Sequence, residues 1–467
     1  MKQRLEELPY FSDSALLFAQ IAHWHWAVFL DSGAVDARQG RYDILAAEPY
    51  VTLVTRGETT EICRHGDCES SREDPFALLR QALVPIGDNS GELPFYGGAL
   101  GYFSYDLGRR LERLPNTAVD DTQLPQMAVG IYDWALVVDH EQRRSWLVSA
   151  GRDSQTQTSE RWDKLLRLFS APLRDDGEGT FHTRGEVSSS LSFADYGAGF
   201  RRIQQYIRDG DCYQVNYAQR FSVACEGDAW VAYRALRNSN SAPFSAWMNL
   251  PFVQVLSASP ERFLRVRNGE VVTQPIKGTA PRSDDPGEDA ARAQALQHSD
   301  KDRAENLMIV DLLRNDLSKN SEYFSVKVPK LFELQRFATV HHLVSTITAT
   351  LRPDRDALDL LRGCFPGGSI TGAPKIRAME IIDELEGVRR GIYCGCIGYI
   401  GFNGDMDSNI VIRTLTVQDG QMQFWAGGGI VIDSRLGAEY QETLDKAHAL
   451  HALISRFHAD GYNDGNP

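Results

Sequence analysis

Four acidic residues stand at a spacing that could hold a divalent cation. Asp302 and Glu305 lie three apart, and Glu439 and Glu442 repeat the interval near the C-terminus, with Lys446 one turn further on. On a helix this interval puts both carboxylates on one face. Two such pairs suit Mg2+, which takes few protein carboxylates and keeps water or substrate oxygens. Acidic pairs at helical spacing also line solvated faces, and spacing alone favours that plainer reading. A second element is Lys277, between Ile276 and Gly278 at the end of a strand that follows the hairpin signal Asn268-Gly269. Partial desolvation there would favour the neutral amine, the condition for a lysine nucleophile. The alternative is a surface lysine beside a turn. Glu261 lies sixteen positions earlier, and a hairpin would bring its carboxyl near Lys277, giving an acid and a nucleophile in one site.

His341 and His342 are adjacent in a strand, so at most one imidazole enters a given site; a strand histidine is more often a structural hydrogen bonder. Glycine-rich turns occur at 366–375 and 426–429. The first opens a helix near Pro374 and offers bare amides as an anion cradle. Neither turn has the spacing of a P-loop or a dinucleotide fingerprint. Cys63 and Cys68 flank His65 in the outline of a metal knuckle, but no second ligand pair stands nearby and zinc is not expected.

These residues need a large scaffold. The chain has 467 residues, 42% hydrophobic and 24% charged, with a net charge of −14. Such a composition is globular, and the acidic balance argues against non-specific nucleic-acid binding. An anionic ligand would need local lysine, arginine or metal. Seven cysteines at irregular spacing do not make a disulfide framework, and with no apolar leader or membrane-length apolar run a cytoplasmic protein is expected.

Residues 1–173 read as strand-like segments at 25–30, 50–54 and 130–138, then a helix carrying Trp162, Leu165, Leu166 and Phe169 after a Thr158-Ser159 start. The polar stretch that follows predicts a linker over 174–194, a second domain over 195–458 and a tail over 459–467. The second domain opens with a helix capped by Asp195 and carrying Tyr196, Phe200, Ile203 and Ile207. Further helices are predicted at 288–299, 302–317, 373–385 and 434–457. Hairpin signals recur at Asn268-Gly269, Asn403-Gly404 and Asp419-Gly420. Helices interleaved with hairpins favour an α+β fold.

The segments SASPERF (257–263), PIKGTAPR (275–282), AENLMIVDLLRNDL (304–317), HHLVS (341–345), GGSITGAPKIRAMEII (367–382), GIYCGCIGYI (391–400), NIVIRTL (409–415), AGGGIVIDS (426–434) and EYQETLDKA (439–447), in this order, strongly resemble the chorismate-utilising enzymes over about 195–455. LDSG (30–33) and RYDILAAEP (41–49) resemble the family's variable first domain more loosely. The resemblance implies two orthogonally packed antiparallel sheets flanked by helices. It implies Mg2+ on Glu305 and Glu442, supported by Asp302 and Glu439. It places Gly278, Thr279, Tyr393, Arg413, Gly427, Gly429 and Lys446 around chorismate, with His342 beside the ring.

Position 277 separates branches of the family. Anthranilate synthases are similar here but carry alanine, and ammonia adds at C2. The branch with lysine in PIKGT aminates C4, which implies that Lys277 attacks C2, Glu261 protonates the departing 4-hydroxyl, and ammonia then displaces the lysine. The product expected is 4-amino-4-deoxychorismate, a precursor of 4-aminobenzoate and folate. Rival readings are an isochorismate, salicylate or anthranilate synthase, or a scaffold without activity that binds a glutaminase. The nearest approach to a glutaminase nucleophile elbow, at 394–398, begins with Cys394 where glycine is required, so a separate glutamine amidotransferase is the expected partner. The resemblance also implies a tryptophan site with Ser32 and Pro243 as its markers.

Overall fold

Two twelve-stranded antiparallel sheets carry most of the chain. The computed structural model describes residues 3–33, 40–84, 91–156, 158–171, 179–337 and 340–458, so the expected tail 459–467 lies outside the described residues. In the first sheet the path runs Arg4–Leu8, Arg144–Ser149, Trp134–Asp139, Tyr42–Ala46 and Ala27–Asp31, then Phe244–Leu250, Val253–Ser259, Thr414–Gln418, Gln421–Ile430, Gln214–Gly227 and Phe181–Ser189. In the second it runs Ile276–Pro281, Val340–Thr350, Glu270–Thr273, Arg262–Arg267, Met406–Asn409 and Cys396–Gly401, then Gly98–Phe103, Met127–Tyr132, Val51–Arg56, Thr59–Arg64 and Asp67–Ser71. The α+β class expected from the sequence is the class observed.

Each sheet is therefore built from both halves of the chain. The second half joins the first by direct strand pairing, Phe244–Leu250 on Ala27–Asp31 in one sheet and Cys396–Gly401 on Gly98–Phe103 in the other. This differs from the expectation of a first domain ending at 173. Nor is 174–194 a linker throughout, since Phe181–Ser189 is a strand. It is an edge strand burying only Phe181 and Thr183, so its sequence has the polarity of a loop.

Between the sheets lies one apolar cluster, with Val28, Ile44 and Ala135 of the first facing Leu100, Tyr102 and Ala128 of the second. The other face of the first sheet packs the helices Ser159–Phe169, Ala229–Ser239 and Leu436–Arg456 through Trp162, Trp230 and Leu450. Helices Phe193–Arg208, Asp300–Ser318, Ala357–Cys364 and Lys375–Leu385 share a third cluster with strands of both sheets. No helix among the described residues is long and apolar enough to cross a membrane.

The three hairpins form where expected, and Asn268 and Gly269 both have positive φ, as a tight right-twisted connection requires. Several boundaries move. The strand expected at 130–138 is two strands in different sheets, because the chain crosses over at buried Asp133. The helix expected to be capped by Asp195 starts earlier, with the Ser192 hydroxyl accepting from the Asp195 N–H at 3.1 Å. Residues Gly372–Ala373 pair with Gln214 and Val215 before their helix begins. Cys63 and Cys68 face each other in register on neighbouring strands and are joined as a disulfide, which the total count and irregular spacing of cysteines did not suggest.

Candidate active site

Lys277 sits on the edge strand Ile276–Pro281, covered by the helix Asp300–Ser318. Its Nζ donates to the Ser369 carbonyl at 3.1 Å. Burial is the largest influence on this amine and lowers its pKa, with Lys446 adding to the effect while Glu305, Glu261 and Glu442 oppose it. Glu261 occupies the turn between Val253–Ser259 and Arg262–Arg267, 5% exposed. Burial raises its pKa, against the pull of a Ser369 hydrogen bond and of Lys277 and Lys446. Ser369 thus touches both groups, its carbonyl taking the amine and its side chain the carboxyl. The pair expected from the sequence is brought together, each member shifted towards its neutral form.

His342 is 2% exposed, with Nδ1 2.8 Å from the Thr279 hydroxyl. Burial first, then the charge of Arg413, pushes its pKa down to about 3, so the ring is neutral at ordinary pH. His341 points to the opposite face and meets Asp289 at 2.8 Å. The strand alternation delivers one imidazole to the site, as anticipated.

The two acidic pairs do converge. Lys301 lies 4.0 Å from Glu305 and 3.7 Å from Glu439, bridging the two helices. Burial and the neighbouring Glu442 and Asp302 raise the pKa of Glu305, although Lys277 and Lys301 act the other way. Burial would also raise Glu442, but its 2.7 Å ion pair with Lys446 outweighs this and lowers it. Glu439 is 2% exposed; its Oε1 accepts from Ser434 at 2.7 Å, while its Oε2 is buried without a hydrogen-bond partner. Asp302 packs over Gly278, where a Cβ would come within 3.0 Å of the Asp302 side chain and where φ is +83°. Glycine alone meets both demands.

Lys446 donates to the Gly427 carbonyl at 2.9 Å. In that strand a Cβ at Gly428 would lie 3.1 Å from Glu442 Oε1 and 3.3 Å from Glu439 Oε2, so this glycine lets the carboxylates close over the sheet. Gly427 and Gly429 face the other way, towards Ala218 and Gln214. Arg413 holds a positive φ of 51°, its pKa is lowered by burial, and its guanidinium makes no hydrogen bond or ion pair among the described residues. Tyr393 is buried and stacked on Trp425, centroids 5.5 Å apart at 3°. Sequence reasoning missed Ser369, Lys301 and Gly428 as site residues; Gly428 carried a local signal as the centre of a triple glycine, and Ser369 as part of the glycine-rich turn 366–375.

Ser32 and Pro243 lie elsewhere, on a separate cavity of about 390 Å³ with Tyr42, Phe244, Arg265 and Asp407. The Ser32 hydroxyl is committed to Asp43 at 2.6 Å. The anion cradle expected before the helix Lys375–Leu385 is instead filled from within, by Lys375 paired with Asp316 at 2.6 Å and donating to the Cys364 carbonyl at 2.7 Å.

Residues 31–452 match the family model described as chorismate binding enzyme. The chain is 50% identical to aminodeoxychorismate synthase component 1 of Klebsiella aerogenes, over 96% of this chain and 98% of that protein. It is 49% identical to the protein of the same name from Escherichia coli (strain K12), over 93% and 94%. The crystal structure of anthranilate synthase component I from Streptococcus pneumoniae TIGR4 superposes with a TM-score of 0.79 at 32% identity, covering 87% of this chain and 91% of that one. The chain belongs to the chorismate binding enzyme family.

Proposed function

We propose that the protein replaces the 4-hydroxyl of chorismate by an amino group, giving 4-amino-4-deoxychorismate, with ammonia supplied by a glutamine amidotransferase partner. The observation that carries this reading is Lys277, a desolvated amine held beside buried Glu261 through Ser369. The neutral amine attacks C2; the ring double bonds shift, the C4–O bond breaks, and Glu261 gives its proton to the departing hydroxyl, which leaves as water. Ammonia then forms the C4–N bond, the double bonds shift back, and the C2–N bond breaks to return the amine. Because C2 is occupied during the second step, nitrogen is directed to C4. Arg413 and Lys446 supply positive charge for the dianionic substrate, and neutral His342 acts as a hydrogen-bonding wall with Thr279.

The acidic cluster fits Mg2+. No three His, Cys, Asp or Glu side chains among the described residues form a metal-holding group by themselves, but Mg2+ needs only one or two carboxylates when substrate and water supply the rest, and the buried Glu439 Oε2 lacks any partner. Glu305 and Glu442 would hold the ion, with Asp302 and Glu439 behind them, and the ion would neutralise the ring carboxylate of chorismate. The cavity at Ser32 and Pro243 is the place proposed for tryptophan, with Arg265, whose buried Nε lacks an acceptor, as the group that would meet its carboxylate.

The test is incubation with chorismate, Mg2+ and an ammonium salt at alkaline pH, followed by a lyase that removes pyruvate. Formation of 4-aminobenzoate is expected; anthranilate, isochorismate or salicylate as the product overturns the reading.

A further inference from the structure

We infer that the buried pair of Arg390 and Glu386 positions the nucleophile: it ties the turn that holds Lys277 to the strand Gln214–Gly227 and so fixes where the amine meets C2 of the ring. The inference rests on the proposed amination.

Ser369 takes the Lys277 amine on its carbonyl at 3.1 Å and meets Glu261 through its side chain. It lies in the short helical turn Gly368–Ile370, where the bond at the end of the turn, from the Thr371 N–H to the Gly368 carbonyl, is long at 3.4 Å. So short a turn does not hold its own direction firmly. The two carbonyls after Ser369 are anchored from outside. Ile370 accepts from Arg390 Nη1 at 2.9 Å, and Thr371 accepts from the Asn216 N–H at 2.8 Å. Arg390 Nη2 also donates to the Asn216 carbonyl at 2.7 Å. One guanidinium and one peptide thus clamp the turn onto a single residue of the strand.

That strand backs the site, since Asn216 and Ala218 pair in register with Gly429 and Gly427. Along its other edge Gln214 and Val215 meet Gly372–Ala373, and the residues from Phe221 onward meet Phe181–Ser189, which leaves 216–220 without a strand neighbour among the described residues. Glu386 fills this interval. Its Oε1 accepts from the Ala218 N–H at 2.9 Å and from Arg390 Nη2 at 2.7 Å, and its Oε2 accepts from Arg390 Nε at 2.8 Å. Closing the edge alone would need only a neutral side chain. A guanidinium does more, because its planar fork reaches the carboxylate, the strand and the turn together at fixed angles. Both side chains are 1% exposed; a buried ion pair gives little stability that an apolar pair would not, and what it adds here is direction. The same guanidinium lies 5.6 Å from the ring centroid of Tyr393, an expected substrate contact. Arg390 acts on Lys277 through the turn, as a positioning residue.

The test is Arg390→Lys, in which a point donor keeps the charge beside Glu386 but cannot span both carbonyls. Glu386→Gln is the milder second variant should the first fold poorly: it keeps an acceptor for Ala218 and loosens the fork. Each is given chorismate, Mg2+ and an ammonium salt, and the products aminated at C2 and at C4 are separated by chromatography. A displaced amine leaves C2 open to nitrogen. We expect kcat to fall about tenfold or more with chorismate KM within about twofold of the parent. The ratio of C2-aminated to C4-aminated product should rise about tenfold or more. A role in the fold alone would lower both products in proportion, so an unchanged ratio in a folded variant, whatever its rate, overturns the inference. Failure of the unmodified chain to aminate chorismate at C4 is a separate result, which removes the proposed function itself.

Discussion

At the scale of single residues, the site departs from what water would enforce on the same groups. In solution a lysine is charged and a glutamate ionised near neutrality. Here burial shifts the Lys277 pKa down and the Glu261 pKa up, so the uncharged form of each gains weight where amine and carboxyl meet at Ser369. If these states are the mechanism, Lys277→Ala should lower C4 amination by at least about 100-fold and open C2 to nitrogen. Chromatography of the lyase-treated products checks this, and full 4-aminobenzoate output would falsify the covalent route. Glu261→Gln keeps the shape and removes the acid; kcat should fall by about 10²–10⁴-fold with little change in chorismate KM, and an unchanged kcat would show that the hydroxyl leaves without it.

At the scale of elements, function depends on which face each strand or helix turns inward. The strand Val340–Thr350 sends His342 to the site and His341 to Asp289, so slipping its register by one residue would exchange them. A comparable network ties strands of the first half together: Ser32 and His140 both bind Asp43, His140 at 2.7 Å, and Tyr10 meets His140 at 3.0 Å. Burial alone would lower the His140 pKa, but the hydrogen bond and charge of Asp43 prevail and raise it above 6.5. A raised folded-state value means that protonated His140 contributes stability which is fully present below the unfolded pKa and lost as pH rises through the folded one. The melting temperature should therefore fall with pH above about 6.5 more steeply in the parent than in His140→Gln. Parallel pH profiles for the two would show that this network does not titrate with folding.

At the scale of the whole molecule, the halves are not separable modules. In each of two continuous sheets a block of strands from residues 1–173 pairs directly with a block from the second half, so cutting after 173 would expose the edges of Ala27–Asp31 and Gly98–Phe103 and the apolar faces behind them. A fragment of residues 1–173 should therefore be aggregated or unfolded, and one of residues 195–467 should lose turnover of chorismate. Cooperative melting of the isolated first fragment would contradict this reading. The same continuity explains why a polar stretch was a poor guide to a boundary: Phe181–Ser189 is polar because it is an edge.

The legible features are those with short-range causes. An interval of three on a helix places Asp302 with Glu305 and Glu439 with Glu442, an Asn-Gly pair makes a hairpin, and alternation along a strand admits one histidine of two; each follows from backbone geometry within a few residues. What joins them was not legible, because the partners come from distant segments. Ser369 holds Lys277 across 92 positions, Lys301 meets Glu439 from another helix, and Gly428 matters only because Glu439 and Glu442 fold over it. The shifts of Lys277 and Glu261 towards their neutral forms likewise belong to the assembled core, since desolvation is a property of everything packed around a group and not of its neighbours along the chain.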